Sequence, residues 1–199
     1  MYKTLAAKPF RGFVEAVPAY ASLAVFYDAI FIKSNQPNIT SAFEFVKKYV
    51  IELEEVINEA TFNTRNKIIP IPVYYNGEDL EHVAAVHQLT VEEVIKIHTS
   101  VNYRVFMTGF LPGFAYMGEV DEKIVMPRKQ QPRTNVPVGS VGIAGLQTGI
   151  YPLDSPGGWQ IMGRTPLKLF DKENNKPVLL QPGDEIEFYS ITEDEFTNY

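Results

Sequence analysis

The residues able to do chemistry in this chain gather between Arg104 and Phe170. Ten of the thirteen glycines and seven of the fourteen prolines lie there, with Trp159, the only tryptophan. Seven basic side chains (Arg104, Lys123, Arg128, Lys129, Arg133, Arg164, Lys168) meet four acidic ones (Glu119, Asp121, Glu122, Asp154), while the whole chain carries a net charge of −6. A basic, glycine-rich, aromatic-lined segment on an acidic protein points to a small anionic ligand; the plainer reading is a mixed solvated surface.

Arg128 and Arg133 each neighbour a proline in PRKQQPRTNVP, residues 127–137. This stretch is too polar and proline-rich for a core strand and reads as an extended surface loop. A guanidinium whose backbone is restricted is suited to bidentate contact with carboxylate or phosphate; ordinary solvation is the alternative for any single arginine. The run VGSVGIAGLQTGIYP, residues 138–152, holds glycines at 139, 142, 145 and 149. So many glycines weaken strands unless backbone must approach something closely. Gln147 and Thr148 are expected on a turn with exposed N–H groups, which could cradle an oxyanion or carbonyl. A bulged barrel corner explains the same glycines equally well. Tyr151, Trp159 and Arg164 complete the candidate binding set. Phe110, Pro112 and Phe114 are either a pocket wall or a turn packed beneath a barrel.

Other chemistries are excluded by what is absent. There is no cysteine, so disulfides, thiolate zinc ligands and a cysteine nucleophile are ruled out, and a cytoplasmic setting is expected. No phosphate-binding GxxxxGK[ST] loop, GxGxxG fingerprint or GxSxG elbow occurs. His82, His87 and His98 lie on two short predicted helices, and no metal site is expected from them. His98 is expected as a half-buried packing histidine. No general base is evident in the central stretch, so the catalytic residues stay unassigned. The acidic balance argues against nucleic acid, and no apolar run reaches a membrane span.

Elements must position these residues. Phe13–Tyr20 and Ser22–Tyr27 read as neighbouring strands. Ser41 and Glu44 open a helix with capping-box spacing, and Val46, Tyr49, Val50, Leu53, Val56, Ile57 and Ala60 form its apolar face. Lys67–Tyr75 reads as a strand confined to a sheet edge by Pro70 and Pro72. Glu78–Gln88 and Val91–Ser100 read as a helical hairpin, the second helix opened by a Thr90/Glu93 capping box. Short runs broken by Gly and Pro follow, which suggests a compact barrel or sandwich. Glu185–Ile191 is a last strand, and the acidic end from Glu193 to Tyr199 is expected to fray. The composition shift near Thr99–Arg104 places a boundary between an α/β part, residues 1–100, and a mostly β part, residues 101–199.

The runs FLPGFAYMG, PRKQQPRTNVPVGSVGIAGLQTGIYPLDSPGGW and GRTPLKLFD, with VPAYASLAVFYD and IPVYYNGEDLEHVA, closely resemble one family. It is the family of 5-oxoprolinase B subunits and KipI kinase inhibitors, also named allophanate hydrolase subunit 1 (carboxyltransferase domain, subdomains C and D). The resemblance implies an α+β protein: a small α/β N-terminal domain, then a cyclophilin-like β-barrel. It also implies a further strand and helix ahead of the VPAY strand, where this sequence has only Met1–Val14.

The implied activity is that of one component of a larger enzyme. With homologues of the C and A subunits, the family hydrolyses 5-oxoproline to glutamate using ATP, which the assembled complex binds. Arg128, Arg133 and Arg164 would then supply anion contacts, with Gln147 and Thr148 at the carbonyl, and the chain alone would be inactive. Two alternatives follow from the same resemblance. One is inhibition of a sensor histidine kinase, as by KipI. The other is a carboxyltransferase component of a urea amidolyase or allophanate hydrolase system.

Overall fold

The computed structural model describes residues 1–59 and 68–199. Ala60 and Lys67, expected to end a helix and begin a strand, lie outside them. The chain forms two compact units, Met1–Arg65 and Asn66–Tyr199. The boundary expected at 100/101 falls inside the second unit, because the strand and helical hairpin before it pack with the β-rich part.

The first unit contains α1 (Tyr2–Ala7), β1 (Phe13–Pro18), β2 (Leu23–Tyr27), α2 (Ala29–Asn35) and α3 (Ala42–Glu59). Strands β1 and β2 pair antiparallel. Helix α2, which periodicity alone did not reveal, is started by Asp28, whose carboxylate accepts from Phe31 N at 2.8 Å. Ser41 Oγ accepts from Glu44 N at 3.1 Å, as its spacing predicts. Val46 and Leu53 of α3 are buried around Phe10, Ala16 and Ile32. Val56, expected on that face, is 58% exposed. Phe10 anchors this core through edge contacts with Phe13, Tyr27, Phe45 and Tyr49.

The second unit is built on β3 (Ile68–Val73), α4 (Leu80–His87), α5 (Val91–Thr99), β4 (Asn102–Thr108), β5 (Ala115–Gly118), β6 (Arg133–Val136), β7 (Ser140–Ala144), β8 (Gln147–Ile150), β9 (Ser155–Gly157), β10 (Gln160–Arg164), β11 (Glu185–Ser190) and α6 (Glu193–Thr197). Seven strands form one mixed sheet in the order β10-β7-β8-β5-β4-β11-β3. Only the β11–β3 pair is parallel. The two prolines hold β3 to the edge, as a missing N–H demands. Beyond them, Tyr74 and Arg164 exchange two backbone hydrogen bonds, 2.8 and 2.9 Å, and bring the first and last strands together. The sheet is thereby nearly closed into a barrel.

Ile71, Val73, Tyr103, Val105, Met117, Val141, Ile143, Ile150, Met162, Ile186 and Phe188 fill its inside. Leu80, Val83 and Ala84 of α4 and Val94 of α5 join them. The Thr90/Glu93 capping box forms in both directions, 2.8 and 3.2 Å. The end expected to fray is instead α6, started by a second such box between Thr192 and Glu195. Two further strands, β6 and β9, pair with each other outside the barrel. Part of the stretch read as an extended loop is therefore a strand. Among the described residues, no helix is long and apolar enough to cross a membrane.

Candidate aromatic and arginine site on the barrel wall

Strands β7 and β8 pair Gly142 with Gly149 and Ala144 with Gln147. Side chains alternate across a sheet, and Val141, Ile143, Thr148 and Ile150 point inward. The outer face of these strands therefore carries Gly142, Ala144, Gln147 and Gly149, with Tyr116 of β5 opposite Gly149. The two glycines leave a shallow bay, and aromatic rings fill it. Phe114 lies 5.5 Å from Trp159 at a right angle, 4.8 Å from Tyr116 and 5.3 Å from Tyr151, centroid to centroid. Tyr116 also meets Trp159 at 5.9 Å. Val136, Ala144 and Ile161 complete this outer cluster.

Arg128 stands over it. Its Cζ is 5.8 Å from the centre of the Trp159 ring, within cation–π range. The guanidinium is exposed and makes no ion pair among the described residues. The backbone beneath is fixed on both sides. Gln160 Nε2 donates to Pro127 O at 2.9 Å, and Lys129 N donates to Gly158 O at 2.7 Å. Burial raises the pKa of Tyr151, and Tyr116 adds to that rise. A backbone hydrogen bond from Trp159 and the charges of Arg128 and Arg133 act against it. Both guanidinium groups therefore act on the same phenol.

Arg133 is already committed. Its Nη2 donates to both Asp79 oxygens, at 2.7 and 2.6 Å, its Nη1 to Trp159 O at 3.2 Å, and its Nε pairs with Glu78. Lys129 Nζ donates to Asp79 at 2.6 Å. Burial alone would raise the pKa of Asp79; the hydrogen bonds from Lys129, Ile161 N–H and Arg133 outweigh it and hold the carboxyl below its ordinary value.

The remaining candidates divide. Phe114, Tyr151 and Trp159 sit together under Arg128, and Gln147 is half-buried on the same sheet face. Phe110, 60% exposed with φ 70°, borders the group through Phe114 at 5.6 Å. Pro112 shares its loop. Thr148 is inside the barrel: its hydroxyl donates to Gly142 O at 3.1 Å and meets His98 Nε2 at 3.1 Å. The turn expected at Gln147 and Thr148 lies instead at Gly145 and Leu146, so their N–H groups belong to a strand. Arg164 donates to Val138 O at 3.2 and 2.9 Å and stacks on Phe196 at 5.8 Å. Its contacts are separate from those of Arg128.

His98 is fully buried, not half-buried. Thr148 spends its proton on Gly142, so His98 Nε2 carries hydrogen and donates to Thr148. Nδ1 then accepts from the Tyr75 hydroxyl at 2.7 Å. Burial pushes the pKa of His98 down to about 3, so this histidine is neutral and structural. Among the described residues, no three His, Asp or Glu side chains gather closely enough to hold a metal ion. Asp79 and Tyr116 are not among the candidates that the sequence names, and Lys129 enters only as one of seven basic side chains. Asp79 falls inside the helix predicted at Glu78–Gln88; it is the residue before the observed α4, where it resembles an ordinary cap.

Comparison with known proteins agrees with this architecture. The family described as carboxyltransferase domain, subdomain C and D, matches residues 1–180. The B subunit of 5-oxoprolinase from Bacillus subtilis (strain 168) is 49% identical over 96% of this chain and 81% of its own length. A urea amidolyase of Lachancea kluyveri is 30% identical over 94% of this chain but only 10% of its own. The crystal structure of a conserved uncharacterized protein from Pyrococcus horikoshii is 43% identical, covers 98% of this chain and 86% of that one, and superposes with a TM-score of 0.63. The chain belongs to the carboxyltransferase-domain family of subdomains C and D, among whose members are the B subunits of 5-oxoprolinase.

Proposed function

We infer that this chain works as the B subunit of a 5-oxoprolinase, opening 5-oxoproline to glutamate with ATP alongside partner subunits. The reading rests on the identity to a named B subunit over nearly the whole chain. One observation supports placing the substrate: Arg128 is held over Trp159 without an ion pair among the described residues. The substrate is a small lactam ring with one carboxylate. Arg128 takes the carboxylate, the ring lies beside Tyr116, the half-buried member of the otherwise buried aromatic cluster, and Gln147 on the same face offers an amide to the lactam carbonyl.

Among the described residues, the acidic and histidine groups nearest this face are already engaged. Asp79 and Glu78 are bound to Arg133, and His98 is sealed inside the barrel. Activation of the amide by phosphoryl transfer therefore draws its remaining groups, and most contacts to ATP, from the C and A subunits. The test is ATP-dependent hydrolysis of 5-oxoproline by the assembled enzyme carrying Arg128→Ala. KM rises about tenfold or more, a loss of about 1.4 kcal/mol of substrate binding. An unaltered KM removes the substrate from this face.

A second reading, inhibition of a sensor histidine kinase, has one feature in its favour. Phe110 is a large exposed aromatic held in a left-handed conformation that side chains disfavour, as a contact residue for a protein partner would be. Capture of a kinase dimerisation domain by the wild type but not by Phe110→Ser supports it, and equal capture by both rejects it.

A further inference from the structure

Asp79 occupies the capping position of α4 yet makes no side-chain bond to the helix. The bond that such a cap ordinarily makes to the helix is forgone. The carboxylate, 3% exposed, turns instead to the segment that carries Arg128. It accepts from Lys129 Nζ, from Arg133 Nη2 and from Ile161 N, the last at 2.7 Å. Its own N–H donates to Ile161 O at 3.1 Å, and Gly77 N donates to Met162 O at 3.0 Å, which fastens the NGED turn to β10. Glu78, with a side chain 62% exposed, adds its charge to Arg133 from outside.

The charges then balance in a particular way. Lys129 and Arg133 are matched by Asp79 and Glu78. Arg128 is left as the one positive charge without an acidic partner in the group. A ligand with one carboxylate neutralises it. A second carboxylate on the same small body would lie beside the half-buried Tyr116 and Gln147 with no cation to meet it, at the cost of its hydration.

We propose that Asp79 sets the charge specificity of the Trp159 face: by occupying Lys129 and Arg133 it admits small carboxylates of a single negative charge and disfavours those with two. This rests on the reading of Arg128 as the carboxylate contact.

The experiment uses the assembled enzyme at low ionic strength, where charge effects are least screened. Inhibition of 5-oxoproline hydrolysis is measured with cyclopentanecarboxylate and with cis-cyclopentane-1,3-dicarboxylate, which share a ring and differ in charge. The wild type favours the monocarboxylate. In Asp79→Asn, which frees a cation, the ratio of the two inhibition constants moves toward the dicarboxylate by about fivefold or more. Glu78→Gln lies at the surface and spares the buried cluster; it moves the ratio the same way by about twofold. Should Asp79→Asn fail to assemble, Glu78→Gln decides. An unchanged ratio overturns the proposal. If Arg128→Ala leaves KM unchanged, the reading of the face has failed; if it raises KM while the ratio stays fixed, the role of Asp79 alone is wrong.

Discussion

Gly142 and Gly149 face each other across β7 and β8, and the Trp159 indole occupies the space that their missing side chains leave. A Cβ on Gly149 would stand 3.0 Å from Trp159 Cζ3 and 3.1 Å from Phe114 Cζ; one on Gly142 would stand 3.2 Å from Trp159 Cβ. The glycines cost strand stability so that a flat aromatic layer can lie on the barrel wall. Gly149→Ala therefore overpacks this layer and destabilises the protein by about 1–3 kcal/mol. Trp159 is the only tryptophan, so its emission reports the site directly. Urea unfolding should show the loss and the folded-state emission should shift. A variant with wild-type midpoint and spectrum would mean that the bay has room to spare.

Two arginines of similar sequence setting should behave oppositely. Arg128 rests on Trp159 with its charge unpaired among the described residues, whereas Arg164 donates twice to Val138 O and stacks on Phe196. Arg164→Ala removes a tie between β10, the turn at Val138 and α6, and costs about 1 kcal/mol of stability. It leaves KM for 5-oxoproline in the assembled enzyme within about twofold. Arg128→Ala changes Trp159 emission and raises KM, with stability within about 0.5 kcal/mol of wild type. A tenfold KM effect in Arg164→Ala would put that residue back in the binding set.

How much of this was legible in the sequence differs by element. The capping box at Thr90 and Glu93 is local, three residues wide, and it forms as read. The helix at Ser41 was found for the same reason, although Val56 shows that helical spacing alone overstates a buried face. The barrel was suggested by glycine and proline punctuation, but its closure by Tyr74 and Arg164 joins positions far apart and leaves no pattern in either segment. The glycines at 142 and 149 fit two readings in the sequence, a close approach and a bulged barrel corner, and the structure shows a close approach. What approaches them is the chain's own Trp159, which the sequence alone does not reveal. Asp79 was missed because its partners Lys129 and Arg133 lie 50 and 54 positions away. Tail residues Thr192 and Glu195 carry a capping signal of the same kind as Thr90 and Glu93, and the acidity around them masked it.

His98 gives the fold a pH dependence of definite sign. In the folded chain, burial among Tyr75, Tyr103, Phe188 and Thr148 lowers its pKa to about 3. In the unfolded chain a histidine titrates near 6.5. Between these values the unfolded state binds a proton that the folded state refuses. Stability is therefore full above about pH 6.5 and declines as the pH falls toward 3, by up to about 1.4 kcal/mol per unit. From pH 8 to pH 5 the loss due to this one group is about 2 kcal/mol. His98→Gln keeps an acceptor for the Tyr75 hydroxyl and a donor for Thr148 but cannot take up a proton. Its stability at pH 8 falls through imperfect packing, yet its pH profile between 8 and 5 is flatter than that of the wild type by about 2 kcal/mol. Carboxylates titrate in both proteins and cancel in the difference. Parallel profiles for the two proteins would show that His98 can acquire its proton without unfolding the barrel.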